Sequence, residues 1–165
     1  AVECYKHALK LAPTSSGVWN DFANLLIDRG DLNGALSAFD RAIGLDGTNP
    51  AFFSNRGRMW LIRGNLERAG QDLNHALELD PGFADAWAHR GLIWAQRKSY
   101  DRAISDFDEA LKLNPGLANT WANRGLALLM EGNREEAEQS FARCRQLGGI
   151  PDPAVIRLRS ARSRP

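Results

Sequence analysis

The stretch WANRGLAL at residues 121–128 decides the fold, because close copies of it recur upstream at a fixed spacing. WAHRGLIW occupies residues 87–94 and FSNRGRMW occupies residues 53–60, so each copy precedes the next by the same interval. A looser copy, WNDFANLL, occupies residues 19–26 at that interval again. Self-similarity at one such period is typical of repeat architectures in which each unit packs on its neighbours. The chain is therefore predicted to be a linear array of 34-residue units.

A second set of residues keeps the same period. An alanine is followed four residues later by a large apolar residue and, three residues after that, by a small one. These alanines are Ala1, Ala35, Ala69, Ala103 and Ala137. Apolar spacings of three and four indicate amphipathic helices, and Gly and Pro residues mark their ends. Each unit is predicted to be two antiparallel helices, with small residues such as Gly91 letting the two approach closely.

The pattern resembles the tetratricopeptide repeat: an aromatic residue, a small residue four positions on, an Ala-x-x-x-Phe pair and a closing Pro, all within one period. The resemblance covers residues 1–149 and implies an all-α fold, a right-handed α-solenoid of stacked antiparallel helix pairs. Residues 1–13 are predicted to be the second helix of a truncated repeat, and 150–165 a C-terminal capping helix with a basic tail. The predicted full repeats span 14–47, 48–81, 82–115 and 116–149.

The truncated repeat begins on its second helix, so its apolar side is expected to be bare in the isolated chain. We expect this helix either to continue a longer array or to be covered by a second copy in a homodimer.

Three units depart from the family, which usually has Leu just before the small residue. They carry Arg56, Arg90 and Arg124 instead. An arginine at a buried position costs free energy unless it is paired. Asp72 and Asp106 follow the first two at one constant spacing, on the second helix of the same unit, so bidentate pairs across the two helices are predicted. The third arginine faces Ser140 and is expected to reach Asp106.

The first full unit lacks this pairing, because Phe22 replaces the arginine and Ala38 occupies the matching position on the second helix. The five tryptophans hold register positions of the helix core, so core packing is predicted for them instead of stacking on bases or sugars. They are Trp19, Trp60, Trp87, Trp94 and Trp121.

The resemblance implies that the first helix of each unit lines a concave groove. The position before the arginine then forms a column of Asp21, Asn55, His89 and Asn123. An Asn carboxamide both donates and accepts, which matches an extended peptide backbone. The column is similar to the asparagine ladder of O-linked GlcNAc transferase repeats, which holds substrate polypeptides. The alternative is that these side chains only solvate the groove.

The residues predicted to contact a peptide are Asn20, Asn24, Asn55, Arg58, His89, Asn119 and Asn123. Hydrogen bonds of about 0.5–1.5 kcal/mol each cannot alone reach the roughly 8 kcal/mol of micromolar binding. Apolar groove residues are expected to supply the remainder: Leu61, Ile62, Leu92, Leu126, Leu129 and Met130.

A carboxylate clamp of the kind that captures acidic chaperone tails is not predicted. Such a clamp needs Lys and Asn on one helix, Asn on the next, and Lys and Arg on the third. The matching positions here are Asn20, Asn24, Asn55, Asp85 and His89, so all three cations are missing.

Charge and motifs exclude other functions. The net charge is +1, which does not suit a polyanion, and nucleic-acid binding by the arginines of 157–164 is less favoured than helix capping. No apolar run is long enough to cross a bilayer, so no membrane span is expected. No phosphate loop, nucleophile elbow or metal-ligand spacing occurs, so no enzyme activity, metal or cofactor is predicted. Two distant cysteines favour a cytoplasmic protein.

The sequence therefore predicts a non-catalytic protein–protein interaction module that binds a peptide segment of a partner in the concave groove. Two alternatives stay open. One is a structural or self-assembly scaffold with an empty groove, and the other is a targeting segment of a larger enzyme.

Overall fold

The computed structural model describes residues 2–150, and in that range the chain forms nine α-helices and no strand. The helices are α1 (Val2–Leu11), α2 (Ser16–Asp28), α3 (Leu32–Leu45), α4 (Pro50–Ile62), α5 (Leu66–Leu79), α6 (Ala84–Gln96), α7 (Tyr100–Leu113), α8 (Ala118–Met130) and α9 (Arg134–Gln146). The all-α prediction is confirmed for these residues. Apart from Ile150, the predicted capping helix and basic tail lie outside the described residues.

The described residues divide into two compact units, 2–89 and 90–150, with the boundary inside α6. The first unit holds α1 to α5 and the first half of α6. The second holds the remainder of α6 and α7 to α9. In each helix pair, a first helix is followed, after a tight turn, by a second helix that packs on it.

Side chains and turns set where the second helices begin. Asp31 accepts a hydrogen bond from the backbone N–H of Gly34 over 2.9 Å at the start of α3. Asn65 accepts one from the N–H of Arg68 over 3.0 Å at the start of α5. Each cap satisfies a backbone donor that the first turn of a helix leaves without an intrahelical partner.

The turn inside each pair requires one residue in the left-handed region. Gly30, Gly64 and Gly132 supply it, with φ of 78°, 74° and 89°. The third pair uses Lys98 at the equivalent place, with φ of 60°. A side chain there costs roughly 1–2 kcal/mol that glycine does not incur, so the third turn is the strained member of the set.

The two helices of a pair meet at a residue that has little or no side chain. A Cβ on Gly57 would lie 2.8 Å from Cγ of Leu73, and a Cβ on Gly91 would lie 2.6 Å from the Phe107 ring. Because the interior is close-packed, neither position has room for a Cβ atom. The prediction that small residues allow close helix approach is confirmed.

In the first unit the predicted arginine bridge is present and larger than expected. Arg56 donates from Nε and Nη2 to the two carboxylate oxygens of Asp72, over 2.8 and 2.6 Å. Its Nη1 donates to Asp40 on α3 over 2.7 Å. Asp72 raises the pKa of Arg56 above its ordinary value through these hydrogen bonds. One guanidinium therefore ties α4 to the second helices on both sides of it.

In the second unit Arg90 forms the predicted bidentate pair with Asp106, over 2.8 and 2.9 Å. Arg124 donates to Ser140 over 2.8 Å, as its register suggests. The expectation that it also reaches Asp106 is wrong: its Nε donates instead to Asp108 over 2.5 Å. Asp106 is buried against Arg90, whereas Asp108 lies on the exposed edge of α7 within reach.

The tryptophan prediction is correct for Trp60, which is 7 % exposed and covered by the guanidinium of Arg68 at 4.7 Å. Trp94 is half-buried beneath Arg102 at 5.0 Å. The remaining three are also half-buried: Trp19, Trp87 and Trp121. Each of these donates its indole N–H to the proline carbonyl six residues earlier, over 2.8 to 2.9 Å, because a buried indole needs an acceptor.

Candidate functional site

Asparagine side chains on neighbouring first helices bond to one another in the first unit. Nδ2 of Asn55 on α4 donates to Oδ1 of Asn20 on α2 over 3.0 Å. Nδ2 of Asn20 in turn donates to Asp21 over 3.3 Å. Asn20 is 8 % exposed, whereas Asn55 is half-buried. Asn20 therefore orients the amide of Asn55, because both ends of its own carboxamide already bond within the protein.

A second link joins the same two helices one turn further on. Nη2 of Arg58 on α4 donates to Oδ1 of Asn24 on α2 over 3.3 Å, and both side chains are half-buried. A guanidinium carries five N–H donors, so Arg58 keeps donors for a ligand while Asn24 limits its motion. Two predicted contact residues are thus brought together.

His89 extends this network at the end of the first unit. Its Nδ1 lies 3.3 Å from Oγ of Ser54, a hydroxyl that is 1 % exposed. Burial lowers the pKa of His89 to about 4, with the charge of Arg58 acting in the same direction and that of Asp85 opposing it. His89 is therefore neutral at pH 7. The neutral ring has one N–H donor and one acceptor nitrogen, and the Ser54 hydroxyl can donate to Nδ1 or accept from it, which leaves Nε2 as the nitrogen available to a ligand.

In the second unit an uncharged notch lies between α6 and α8, with a volume of about 260 Å³. It is lined by Leu92, Ala95, Gln96, Tyr100, Asn123, Leu126, Ala127 and Met130. Met130 is 56 % exposed. The half-buried amide of Asn123 lies at this apolar surface, so one polar group accompanies several apolar ones.

Of the predicted contact residues, Asn119 is exposed and Asn20 is buried, whereas the others are half-buried. Asn119 lies exposed in the first turn of α8 and does not line the notch. The position just after the leading aromatic is buried in every repeat, at Asn20, Ser54, Ala88 and Ala122. These side chains pack inside the array, because a helix packed on both sides leaves only a narrow exposed stripe. Leu61 is also buried, whereas Ile62 is 52 % exposed.

Tyr100 and Ala95 were not among the predicted groove residues. Tyr100 begins the second helix α7, and only first helices were expected to line the groove. A large aromatic residue directly after the turn RKS at 97–99 was the available signal. Its ring reaches the notch because the turn places the start of α7 beside the end of α6.

Within residues 2–150 there is no cluster of three or more His, Cys, Asp or Glu side chains that could hold a metal ion. In the same range no helix is long and apolar enough to cross a membrane.

Two family models described as tetratricopeptide repeat match the chain, one over residues 20–82 and one over residues 84–117. Together they span more than half of it. The chain belongs to the tetratricopeptide repeat (TPR) family. No curated protein sequence matches this TPR protein.

Solved structures support the same fold. The crystal structure of MamA is 24% identical, with a TM-score of 0.71, and the match covers 89% of this chain and 86% of that one. A Pseudomonas aeruginosa pilF structure is 23% identical, with a TM-score of 0.77, covering 88% and 67%. The Cut9 and Hcn1 hetero-tetramer of the APC/C gives 22%, a TM-score of 0.83, and coverage of 88% and 29%. At these identities the likeness shows the fold alone.

The predicted α-solenoid fold is confirmed by the helices together with these matches. TPR arrays are protein–protein interaction modules, so that coarse part of the functional prediction holds for this chain. The fold is generally a non-catalytic scaffold. The candidate contacts for such a partner are side chains of the first helices.

Proposed function

We propose that this TPR protein binds an extended polypeptide segment of a partner along the exposed face of its first helices. The observation that carries the proposal is the uncharged notch of the second unit, where Met130 is 56 % exposed beside the amide of Asn123. Exposed apolar surface with a polar group beside it is typical of a surface that a partner covers.

The first unit supplies polar contacts to the same kind of ligand. Asn55 is oriented by Asn20 and Arg58 by Asn24, so less side-chain freedom is lost when a ligand binds. Neutral His89 adds its second ring nitrogen, Nε2, as a further hydrogen-bonding group. A peptide backbone offers the complementary carbonyl and N–H groups. Asn119, exposed near the start of α8, is kept as an outer contact of the proposal.

Hydrogen bonds and apolar contact are expected to contribute comparable binding free energies. Four hydrogen bonds of about 0.5–1.5 kcal/mol each supply a few kcal/mol. One large apolar side chain seated in the notch adds about 1.5–3 kcal/mol. Their sum approaches the roughly 8 kcal/mol of micromolar binding only when the hydrogen bonds and the apolar contact are made together. We therefore expect peptides with a bulky apolar residue and low net charge.

The test begins with selection of peptides from a random peptide library on the whole chain, followed by fluorescence anisotropy with the selected peptides. Met130→Gln and Asn123→Ala are expected to raise Kd by about 5- to 10-fold and 2- to 5-fold. The matched control is Ser105→Ala on the exposed side of α7. Raising the salt concentration should change Kd little, because the notch is uncharged.

Selected peptides whose Kd is unaffected by both substitutions would contradict the proposal. A steep loss of affinity with salt would instead indicate binding to charged surface, as expected for nucleic acid. The cytoplasmic location is retained as part of the proposal, because Cys4 and Cys144 are both free thiols.

The alternative of self-assembly, including a homodimer through α1, has one observation in its favour: Leu11 at the end of α1 is 75 % exposed. Light scattering across a range of concentrations separates the two functions. A mass that stays at 18.3 kDa favours partner binding, and a mass that rises with concentration favours the scaffold.

A further inference from the structure

An apolar cleft of about 530 Å³ opens between α1, α2 and α3 in the first unit. Phe22 and Leu26 form its wall on α2, on the side of that helix away from Asn20. Its walls include Lys6, Trp19, Phe22, Leu26, Gly34 and Arg41. The volume falls in the range of about 300–1,000 Å³ that is typical of ligand pockets.

The next repeat shows why this cleft exists. The equivalent space between α3, α4 and α5 has a volume of about 290 Å³. There Trp60 stands in the register of Leu26, and Arg68 in the register of Gly34. The arginine covers the indole at 4.7 Å, so the larger pair occupies part of the space. In the first full repeat both residues are smaller, and the cleft is correspondingly larger.

Three charged side chains line the cleft: Lys6, Asp31 and Arg41. Asp31 is engaged in capping α3 through the N–H of Gly34. Lys6 pairs with the exposed Glu3 over 3.0 Å. Arg41 is exposed, and within the described residues it makes no hydrogen bond or ion pair. An apolar cavity with an unengaged guanidinium at its rim matches an apolar group that has a carboxylate next to it.

We propose that this cleft is a second docking site, which accepts a partner peptide carrying a large apolar side chain directly beside an aspartate or glutamate. The apolar side chain fills the space between Phe22 and Leu26, and the carboxylate pairs with Arg41. This site is independent of the peptide-binding face described above, because it uses the opposite side of α2 together with α1 and α3.

The chain's own tail is a poor occupant. The segment RLRSARSR at 157–164 carries four arginines and no acid. It would meet the positive charge of Arg41, and like charges in contact are repulsive. An acidic partner segment gains from the same side chain.

The test is a titration of the whole ¹⁵N-labelled chain, followed by the indole N–H resonance of Trp19, which lines the cleft. The probe is the pentapeptide acetyl-SEFES-amide. Two controls each lack one feature: acetyl-SQFQS-amide has no carboxylate and acetyl-SEAES-amide has no large apolar side chain. The acidic aromatic peptide is expected to shift the resonance with a Kd at least about 5-fold lower than either control.

Variants then assign the contacts. Arg41→Gln on the exposed rim is expected to weaken the probe about 3- to 5-fold without changing the fold. Leu26→Trp copies the next repeat and should weaken binding by narrowing the cleft. The matched control is Arg68→Gln, which removes an exposed arginine one repeat further on and should leave the Kd unchanged.

Equal binding of all three peptides, or shifts that avoid Trp19, would overturn this second site. So would binding that Arg41→Gln leaves unchanged. Shifts of the same resonance with protein concentration alone would identify a second copy as the occupant and likewise reject the acidic peptide. None of these outcomes affects the Met130 and Asn123 variants, so failure here is distinguishable from failure of the proposed function.

Discussion

The first and second full repeats have the same helical hairpin but hold it together by opposite means. In the first, Phe22 on α2 lies at the register of Arg56, and Ala38 at the register of Asp72. The first crossing is apolar, and the second is a bidentate ion pair with a further bond to Asp40. One backbone geometry therefore accepts either chemistry, provided that both partners change together.

A charged residue is therefore accepted at this position when an opposite charge pairs with it. A single buried charge is strongly unfavourable, whereas a paired one roughly balances its desolvation cost. The apolar crossing is flanked by a cleft of about 530 Å³, and the ionic crossing with Trp60 and Arg68 by one of about 290 Å³. The residues beside each crossing therefore set how much open space flanks it.

The largest effect is expected from breaking the ionic crossing on one side only. Arg56→Ala leaves the side chain of Asp72, 9% exposed, without its cation. The free energy of unfolding should fall by about 3–5 kcal/mol, as measured by urea denaturation.

The double substitution Arg56→Phe with Asp72→Ala copies the first repeat and supplies the control. It should recover to within about 1–2 kcal/mol of the parent chain. If the double variant is no more stable than Arg56→Ala, the two crossings are not interchangeable.

The next effect concerns the column position that is Asn55 in the second repeat and His89 in the third. Because burial lowers the folded-state pKa of His89 from 6.5 to about 4, the unfolded chain binds more protons between those values. With respect to His89, the folded state keeps its full stability above pH 6.5 and loses stability as the pH drops toward 4. The loss attributable to His89 is about 3 kcal/mol.

Urea denaturation at pH 7 and pH 4 measures this, with His89→Gln as the control. The variant should lose less stability than the parent over that interval, because only the parent has a partly buried imidazole to protonate. Parallel losses in the two proteins would contradict the assignment of His89 as a neutral, partly buried ring.

A smaller effect tests the helix contact itself. The first repeat has Ala23 where the second has Gly57. Gly57→Ala should cost about 1–3 kcal/mol, because its Cβ would meet Leu73 at 2.8 Å. The control is Gly44→Ala in α3, where no atom lies within 4 Å and the substitution should stabilise by roughly 0.5–1 kcal/mol. Thermal unfolding compares the two, and equal shifts would reject the close contact.

The smallest effect concerns the one non-glycine turn residue among the four described turns. Lys98→Gly should raise stability by about 0.5–1 kcal/mol, because the left-handed backbone at φ 60° disfavours a side chain. Gly64→Ala in the second repeat should have the opposite sign. A destabilising Lys98→Gly would mean that the lysine side chain makes a contact worth more than the strain.

The sequence predicted the helices, their pairing and two of the three arginine bridges, because these features follow from a repeat that recurs in phase. It was less successful for side chains that lie between neighbouring repeats. Arg124 bonds Asp108 and not Asp106, and Asn20 is buried beneath Asn55. Spacing along the chain says which face a residue occupies, but the distance to the next helix depends on how closely the hairpins pack.

What the sequence determined by itself is the architecture: a constant period with apolar, small and aromatic residues in fixed register can bury its faces only by stacking hairpins. Packing between neighbouring helices sets which polar groups stay available. Burial of Asn20 and Ser54, the neutral state of His89 and the cleft beside Phe22 all arise from side chains that neighbouring helices bring together. Desolvation and packing act through space, so no periodicity in the chain could have expressed them.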